Sequence, residues 1–287
     1  MKKITKDILR KVYPKRELCS HKYDNGYLLV VGGGEHYTGS PALAGLAGFR
    51  AGVDMVRVLA PEKAADIIAG FSPNLATYGF KGAHFDAEDL PLLLNMAEAA
   101  RAVSKERTAL VIGGGLGRSE ETQKVVLDFL SQTSIKTVVD ADAIYALKMN
   151  PSVRKGLILT PHSNEFFVLT KRDLKGLSLE KKAEAVKEEA GKLSSVILLT
   201  GEKDIISNGQ EVYINETGTP FMTVGGTGDT LAGICGGLLA QGVEPFLAAQ
   251  GAAFINGKAG ELSSEKFGIG MLATDLIKEI PNVVCAT

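Results

Sequence analysis

A chain of 287 residues, 45% hydrophobic and 23% charged, can bury a sizeable core as one large or two small globular domains. Its formal charge of −1 gives no electrostatic case for a nucleic-acid partner or an anionic membrane. Three scattered cysteines, Cys19, Cys235 and Cys285, lack CxxC spacing, which argues against a disulfide framework or a zinc site and for a reducing compartment.

The N-terminal "MKKITKDILRKVYPKRE" is charged throughout and lacks the apolar centre of a secretory signal, and no run of about 18 apolar residues follows. A soluble, cytoplasmic protein is the expectation. From Tyr27 the chain alternates short β-branched runs with segments of helical period: "YLLVVGG", "PALAGLAGFRAG", "DMVRVLA" and "PEKAADIIAG". The alternation continues through "TALVIGGG", "EETQKVVLDFLSQ", "KTVVDAD", "AIYALKMN", "GLILTPH", "NEFFVLTKR", "LEKKAEAVKEEAGKL" and "SVILLTG". Such βαβα order predicts an α/β fold with a mostly parallel central sheet covered on both faces. "DIISN" and "EVYIN" around Asn208-Gly209 predict a hairpin added to that sheet, and three helical stretches close the chain. Without a linker or composition break, residues 1–287 read as a single domain.

Ligands of such sheets collect where strands end and helices begin. "VVGGGEHYTGS", "VIGGGLGR", "VVDADA", "ILTPHSNEF" and "LLTGEKD" are strand-end segments, expected on one rim with "GGTGD". "GEHYTGS" lacks the lysine of a phosphate-binding P-loop, and "VIGGGLGR" fails the dinucleotide pattern because Arg118 follows Gly117.

The knot Gly225, Gly226, Thr227, Gly228 before Asp229 carries the strongest chemical signal. Its amides converge on an anion where a helix presents its positive end. Asp229 then reads either as a first-turn carboxylate stabilised by the helix dipole or as a base aimed at a hydroxyl nucleophile beside a bound phosphoryl group. Glu165 reads as a helix-start cap or as a carboxylate acting on Mg²⁺ directly or through water. His162 is a base or a neutral hydrogen-bonding imidazole, and Asp140 to Ala143 serve metal, ligand or a turn. Lys203 meets a phosphate or only solvent, and His21, His36 and His84 read as surface or capping residues.

These motifs together resemble the NAD(P)H-hydrate dehydratases of the ribokinase-like superfamily. "YTGSPALAGLAGFRAG", "FSPNLATYGF", "VIGGGLGR", "VVDADAIYAL", "LTPHSNEF", "TGEKDIISNGQ" and "MTVGGTGDTLAGICGGLLAQG" follow that family's order over about Tyr27 to Gly242. The resemblance implies a three-layer α/β/α sandwich that dehydrates NADHX and NADPHX, the hydrated nicotinamide cofactors, at the expense of ADP or ATP with Mg²⁺. It implies NAD(P)HX contacts at Ser40, Gly115, His162 and the catalytic Asp229. It also implies nucleotide contacts at Thr200, Gly201, Glu202, Lys203 and Asp204 and at Gly225, Gly226, Thr227 and Gly228.

The resemblance further implies a homo-oligomer and a separate epimerase, because the family's N-terminal epimerase domain has no counterpart in this sequence. ADP is slightly favoured over ATP. Ser40 replaces the usual alanine, Gly114 a proline, Asn164 a common glycine and Thr200 a frequent lysine; the small residues are expected to be tolerated, whereas Thr200 weakens phosphate affinity unless Lys203 compensates. The alternative activity is a small-molecule kinase of the same fold, acting on a vitamin hydroxyl.

Overall fold

The computed structural model describes residues 1–16 and 18–285. The chain enters through β1 (Lys2–Lys3) and α1 (Ile8–Val12), then β2 (Tyr27–Val31), α2 (Gly39–Arg50), β3 (Met55–Pro61), α3 (Glu62–Phe71) and β4 (Ala76–Phe80). It continues with α4 (Leu90–Ser104), β5 (Thr108–Ile112), α5 (Glu120–Gln132), β6 (Lys136–Val139), α6 (Ala141–Leu147), β7 (Ile158–Leu159) and α7 (Ser163–Thr170). Next come α8 (Leu179–Leu193), β8 (Val196–Leu199), β9 (Asp204–Ser207) and β10 (Val212–Asn215), and then α9 (Thr227–Ala240), α10 (Pro245–Phe267) and α11 (Ala273–Val284).

The ten strands form one sheet in the order β1-β10-β9-β8-β7-β6-β5-β2-β3-β4. Every neighbouring pair is parallel except β9 with β8 and β9 with β10. The expected hairpin is therefore β9–β10, its loop closed by Asn208 Oδ1, which accepts from the amides of Gln210 and Glu211, both at 2.9 Å. Parallel strands buried on both faces need apolar side chains in both directions, and β2 shows it. Leu28 and Val30 enter the core beneath α2, α9, α10 and α11, while Tyr27, Leu29 and Val31 enter the core beneath α4, α5, α6 and α8. The result is a three-layer α/β/α sandwich.

Strand order reverses between β2 and β5, since β3 and β4 extend one way and β6 to β8 the other. A crevice opens at such a switch point. Close backbone approach defines it: the Gly33 amide donates to the Gly114 carbonyl at 2.8 Å, and the Gly113 amide to the Val31 carbonyl at 3.1 Å.

The stretch "GGTGDTLAGICGG" resolves into helix. A Cβ on Gly233 would lie 2.1 Å from the Ala44 carbonyl oxygen, and one on Gly236 would lie 2.3 Å from Val111 Cγ2. These glycines let α9 sit directly on α2 and on the sheet. Unlike the other rim segments, the glycine knot does not follow a strand: the residues before it form a 3-10 turn, Pro220–Thr223, so the knot takes its place on the rim from helix packing. The edge strand β1, the short α1, and the pair β4 and α4 extend the architecture beyond what the sequence periodicity marks.

Candidate active site

Above the switch point lies a cavity of ≈ 730 Å³, whose wall takes residues from the ends of β5, β6, β7 and β8 and from the starts of α2 and α9. Ser40, Gly115, His162, Glu165, Thr200, Gly226, Gly228 and Asp229, all singled out from sequence, line it together.

The glycine knot is anchored from behind. Thr227 Oγ1 donates to the Met222 carbonyl at 2.7 Å, and Asn256 of α10 donates through Nδ2 to the Thr227 carbonyl at 3.2 Å. Thr230 Oγ1 lies 2.7 Å from Asn256 Oδ1, closing the clip. Gly226, with φ +98°, occupies the N-cap position and brings no side-chain cap to the first-turn amides of α9. Cβ atoms on Gly225 or Gly228 would meet nothing within 4 Å, so neither glycine is demanded by the protein's own packing. The open amides at a helix N-terminus suit a phosphate.

Asp229 stands in the first turn of α9 with its carboxyl pushed up to about 6, chiefly by burial, against which a hydrogen bond from Ser40 acts. Gly114 makes the approach possible, since a Cβ there would lie 2.8 Å from Asp229 Oδ1 and 2.9 Å from Ser40 Cβ. Asp140, on the same cavity wall, is buried; burial raises its carboxyl to about 8, opposed by a hydrogen bond from Thr160 and reinforced by the charges of Asp229 and Glu165. Thr160 Oγ1 is 2.7 Å from Asp140 Oδ1. The next residue, Ala141, takes φ +47°, a conformation costly for a side chain, and its amide reaches the Asp140 carboxylate.

His162 and Glu165 form a capping box on α7. The imidazole Nδ1 accepts from the amides of Asn164 at 3.1 Å and Glu165 at 3.3 Å, and Glu165 Oε2 accepts from the His162 amide at 3.0 Å. An Nδ1 that accepts from both amides leaves the proton on Nε2, which faces Glu165 Oε1 at 3.5 Å. Burial raises the Glu165 carboxyl. Among the described residues no group of three or more His, Cys, Asp or Glu side chains is arranged to hold a metal.

Beyond Thr200 the turn moves out to the surface. Gly201, Glu202 and Lys203 are exposed, and the Gly201 amide donates to Asp204 Oδ1 at 3.2 Å. Asp204 also accepts from Asn215 Nδ2 at 3.0 Å and is raised to about 6 by burial. Lys203 Nζ pairs with Glu216 Oε1 at 2.6 Å, and the other oxygen of that carboxylate pairs with Lys3. From sequence, Arg118 and its neighbour Tyr145 carry no site role, and Asp142 stands only within the segment Asp140 to Ala143. Arg118 served there only to dismiss a dinucleotide motif, although a cation directly after a glycine loop was a usable signal.

Two comparisons define the class of fold. A ribokinase-like superfamily protein from Enterococcus faecalis superposes over 100% of this chain and 96% of its own with a TM-score of 0.86 at 26% identity. The ADP/ATP-dependent NAD(P)H-hydrate dehydratase of Bacillus subtilis, crystallised with ATP/Mg²⁺, superposes over 98% of this chain and 97% of its own, with a TM-score of 0.81 at 28% identity. The fold is ribokinase-like. The family model described as NAD(P)H-hydrate dehydratase matches residues 28–282, and the chain belongs to that family.

Curated relatives agree. The chain is 33% identical to the ADP-dependent (S)-NAD(P)H-hydrate dehydratase of Nitrosopumilus maritimus, over 99% of this chain and 96% of that one. It is 39% identical to the bifunctional NAD(P)H-hydrate repair enzyme of Pyrobaculum aerophilum, over 94% of this chain. The match spans 52% of that enzyme, and the chain covers about half the length of several such bifunctional relatives.

Proposed function

We propose that the protein dehydrates NADHX and NADPHX to NADH and NADPH, consuming ADP or ATP. The observation that carries this reading is one cavity lined by an open glycine cradle and, one residue on, the half-buried Asp229 carboxylate, together with Gly115 and His162. The cradle suits the terminal phosphoryl group of a nucleotide, and the wall opposite suits the hydrated ring. Membership of the family and the names of the near-full-length relatives support the same choice of substrate.

Hydroxide is a poor leaving group from the hydrated ring, whereas phosphate is a good one. Asp229 as carboxylate takes the proton of the ring hydroxyl while that oxygen bonds to the terminal phosphorus and the bond to the departing nucleotide breaks. The first-turn amides of α9 hold the charge that builds on the phosphoryl oxygens. The ring-nitrogen lone pair then expels phosphate, and loss of a proton from the adjacent carbon restores the double bond. Ser40 keeps Asp229 aimed, and the capping box fixes the His162 imidazole at the cavity wall.

The donor set fits Mg²⁺ carried on nucleotide phosphates, because Mg²⁺ needs only one or two protein carboxylates beside phosphate and water, and Glu165 lines the cavity. When bound, the ion neutralises phosphate charge. An epimerase supplied separately, or on another part of a longer chain, would feed the reaction, and a homo-oligomer is the proposed assembly. The reading is tested by incubating the protein with NADHX or NADPHX, Mg²⁺ and ADP or ATP. Nucleotide-dependent recovery of reduced-nicotinamide absorbance is expected. No recovery, together with phosphorylation of a vitamin alcohol, transfers the activity to the kinase alternative.

A further inference from the structure

The cavity wall is electrostatically odd for a site that takes polyanions. Its lining contains four carboxyl side chains, Asp140, Asp142, Glu165 and Asp229, and among the described residues that line it Arg118 is the one lysine or arginine. Burial raises the carboxyls of Asp140, to about 8, and of Asp229, to about 6, and among the described residues no second lysine or arginine lines the wall. A dinucleotide brings at least two phosphate charges into this setting.

Arg118 is held for such a task on two sides. Its Nε donates to Asp142 Oδ1 at 2.7 Å, while Asp142 Oδ2 accepts from the Gly117 amide at 3.0 Å, which ties the arginine to the loop that carries it. The guanidinium lies 3.6 Å from the centroid of the Tyr145 ring, and the Tyr145 hydroxyl is fixed in turn by Asn164 Nδ2 at 3.2 Å. One flat face and one edge are thus occupied. Among the described residues the two terminal nitrogens make no hydrogen bond, and the side chain is 54% exposed at the mouth of the cavity. A guanidinium with its plane fixed and its outer fork open matches a phosphate in a bidentate manner and loses little freedom on binding it.

We propose that Arg118, oriented by Asp142 and Tyr145, is the phosphate anchor for the dinucleotide substrate and a determinant of specificity for it over the phosphate-free nicotinamide riboside. The inference rests on the substrate assignment made above and adds the residue that reads the part of the substrate remote from the reacting ring. It places the anchor on the loop of Gly115 and Gly117 that follows β5, whereas the Thr200 turn assigned to the nucleotide follows β8. The phosphate is either the pyrophosphate shared by both cofactors or the additional 2′-phosphate of NADPHX.

Calorimetric titration of wild type, R118Q, R118K and D142N with NADH, NADPH, ADP and nicotinamide riboside tests this without relying on turnover. R118Q is expected to weaken dinucleotide binding about tenfold or more, with ADP and the riboside changing less than about twofold. R118K, which keeps the charge but not the fork, is expected to fall between, and D142N to weaken dinucleotides severalfold by releasing the arginine. Equal weakening of NADH and NADPH assigns the pyrophosphate; weakening of NADPH alone assigns the 2′-phosphate. Unchanged dinucleotide binding in R118Q, or equal loss for ADP or the riboside, overturns the proposal. Because binding is read directly, arginine-dependent binding without dehydration of the hydrates would overturn the activity while leaving the anchor in place. Thermal midpoints of the variants show whether they fold, and R118K or D142N carries the test if R118Q does not.

Discussion

The Ser40 side chain hydrogen-bonds the Asp229 carboxyl across the gap left by Gly114, joining the start of α2 to the first turn of α9. A donor to the ionised form lowers a carboxyl pKa, and here it opposes the upward push of burial that leaves Asp229 at about 6. If the carboxylate is the base, activity rises with pH through about 6. Ser40→Ala removes the donor, so the acid limb of the kcat profile is expected to move to higher pH, with a larger loss at pH 6 than at pH 8. Initial rates across that range check it, and an unmoved limb removes Ser40 from control of the base.

The glycines of α9 divide by what they serve. Gly228 has open space at its missing Cβ, so Gly228→Ala is expected to leave the thermal midpoint unchanged or slightly raised while weakening nucleotide binding about tenfold. Gly233→Ala presses on the Ala44 carbonyl and is expected to cost about 1–3 kcal/mol of stability. Melting curves paired with ADP titrations separate the two. Loss of stability in both variants would mean that the cradle is demanded by folding alone.

Asp140 gives a stability signature of its own. Its carboxyl is raised in the folded protein to about 8, from an ordinary value of 3.8. The folded state therefore prefers the protonated form, and that contribution is complete below about pH 4 and is lost as pH rises through 8. Asp140→Asn cannot ionise and keeps an oxygen for Thr160. It is expected to melt at least about 2–4 °C above wild type at pH 8.5, with the difference shrinking toward pH 4.5. A constant difference across that range would mean that Asp140 does not titrate in the fold.

The sequence made the sheet legible because fully buried parallel strands are short apolar runs with glycine at their ends, as in "YLLVVGG" and "TALVIGGG". The rim followed from the same grammar, and with it the meeting of Ser40, Gly115, His162 and Asp229. Periodicity does not report what long-range packing decides. The two-residue β1 exists only because β10 offers it an edge, and the glycine knot sits on the rim because Gly233 and Gly236 let α9 settle onto α2 and β5. For Glu165, cap and cavity ligand are legible in the sequence only as alternatives, and the capping role of His162 emerges only from the fold. The Arg118, Asp142 and Tyr145 cluster joins two separate strand ends, so no local spacing marked it.

The central claim is that a phosphoryl-transfer site here discards its phosphate. The most direct measurement follows NADHX, ADP, AMP, inorganic phosphate and NADH together in one reaction with Mg²⁺, with wild type and Asp229→Asn side by side. Wild type is expected to release one AMP and one phosphate for each NADH formed, and Asp229→Asn to form none while still binding ADP. A phosphorylated alcohol that accumulates without NADH, or undiminished turnover by Asp229→Asn, would contradict the account.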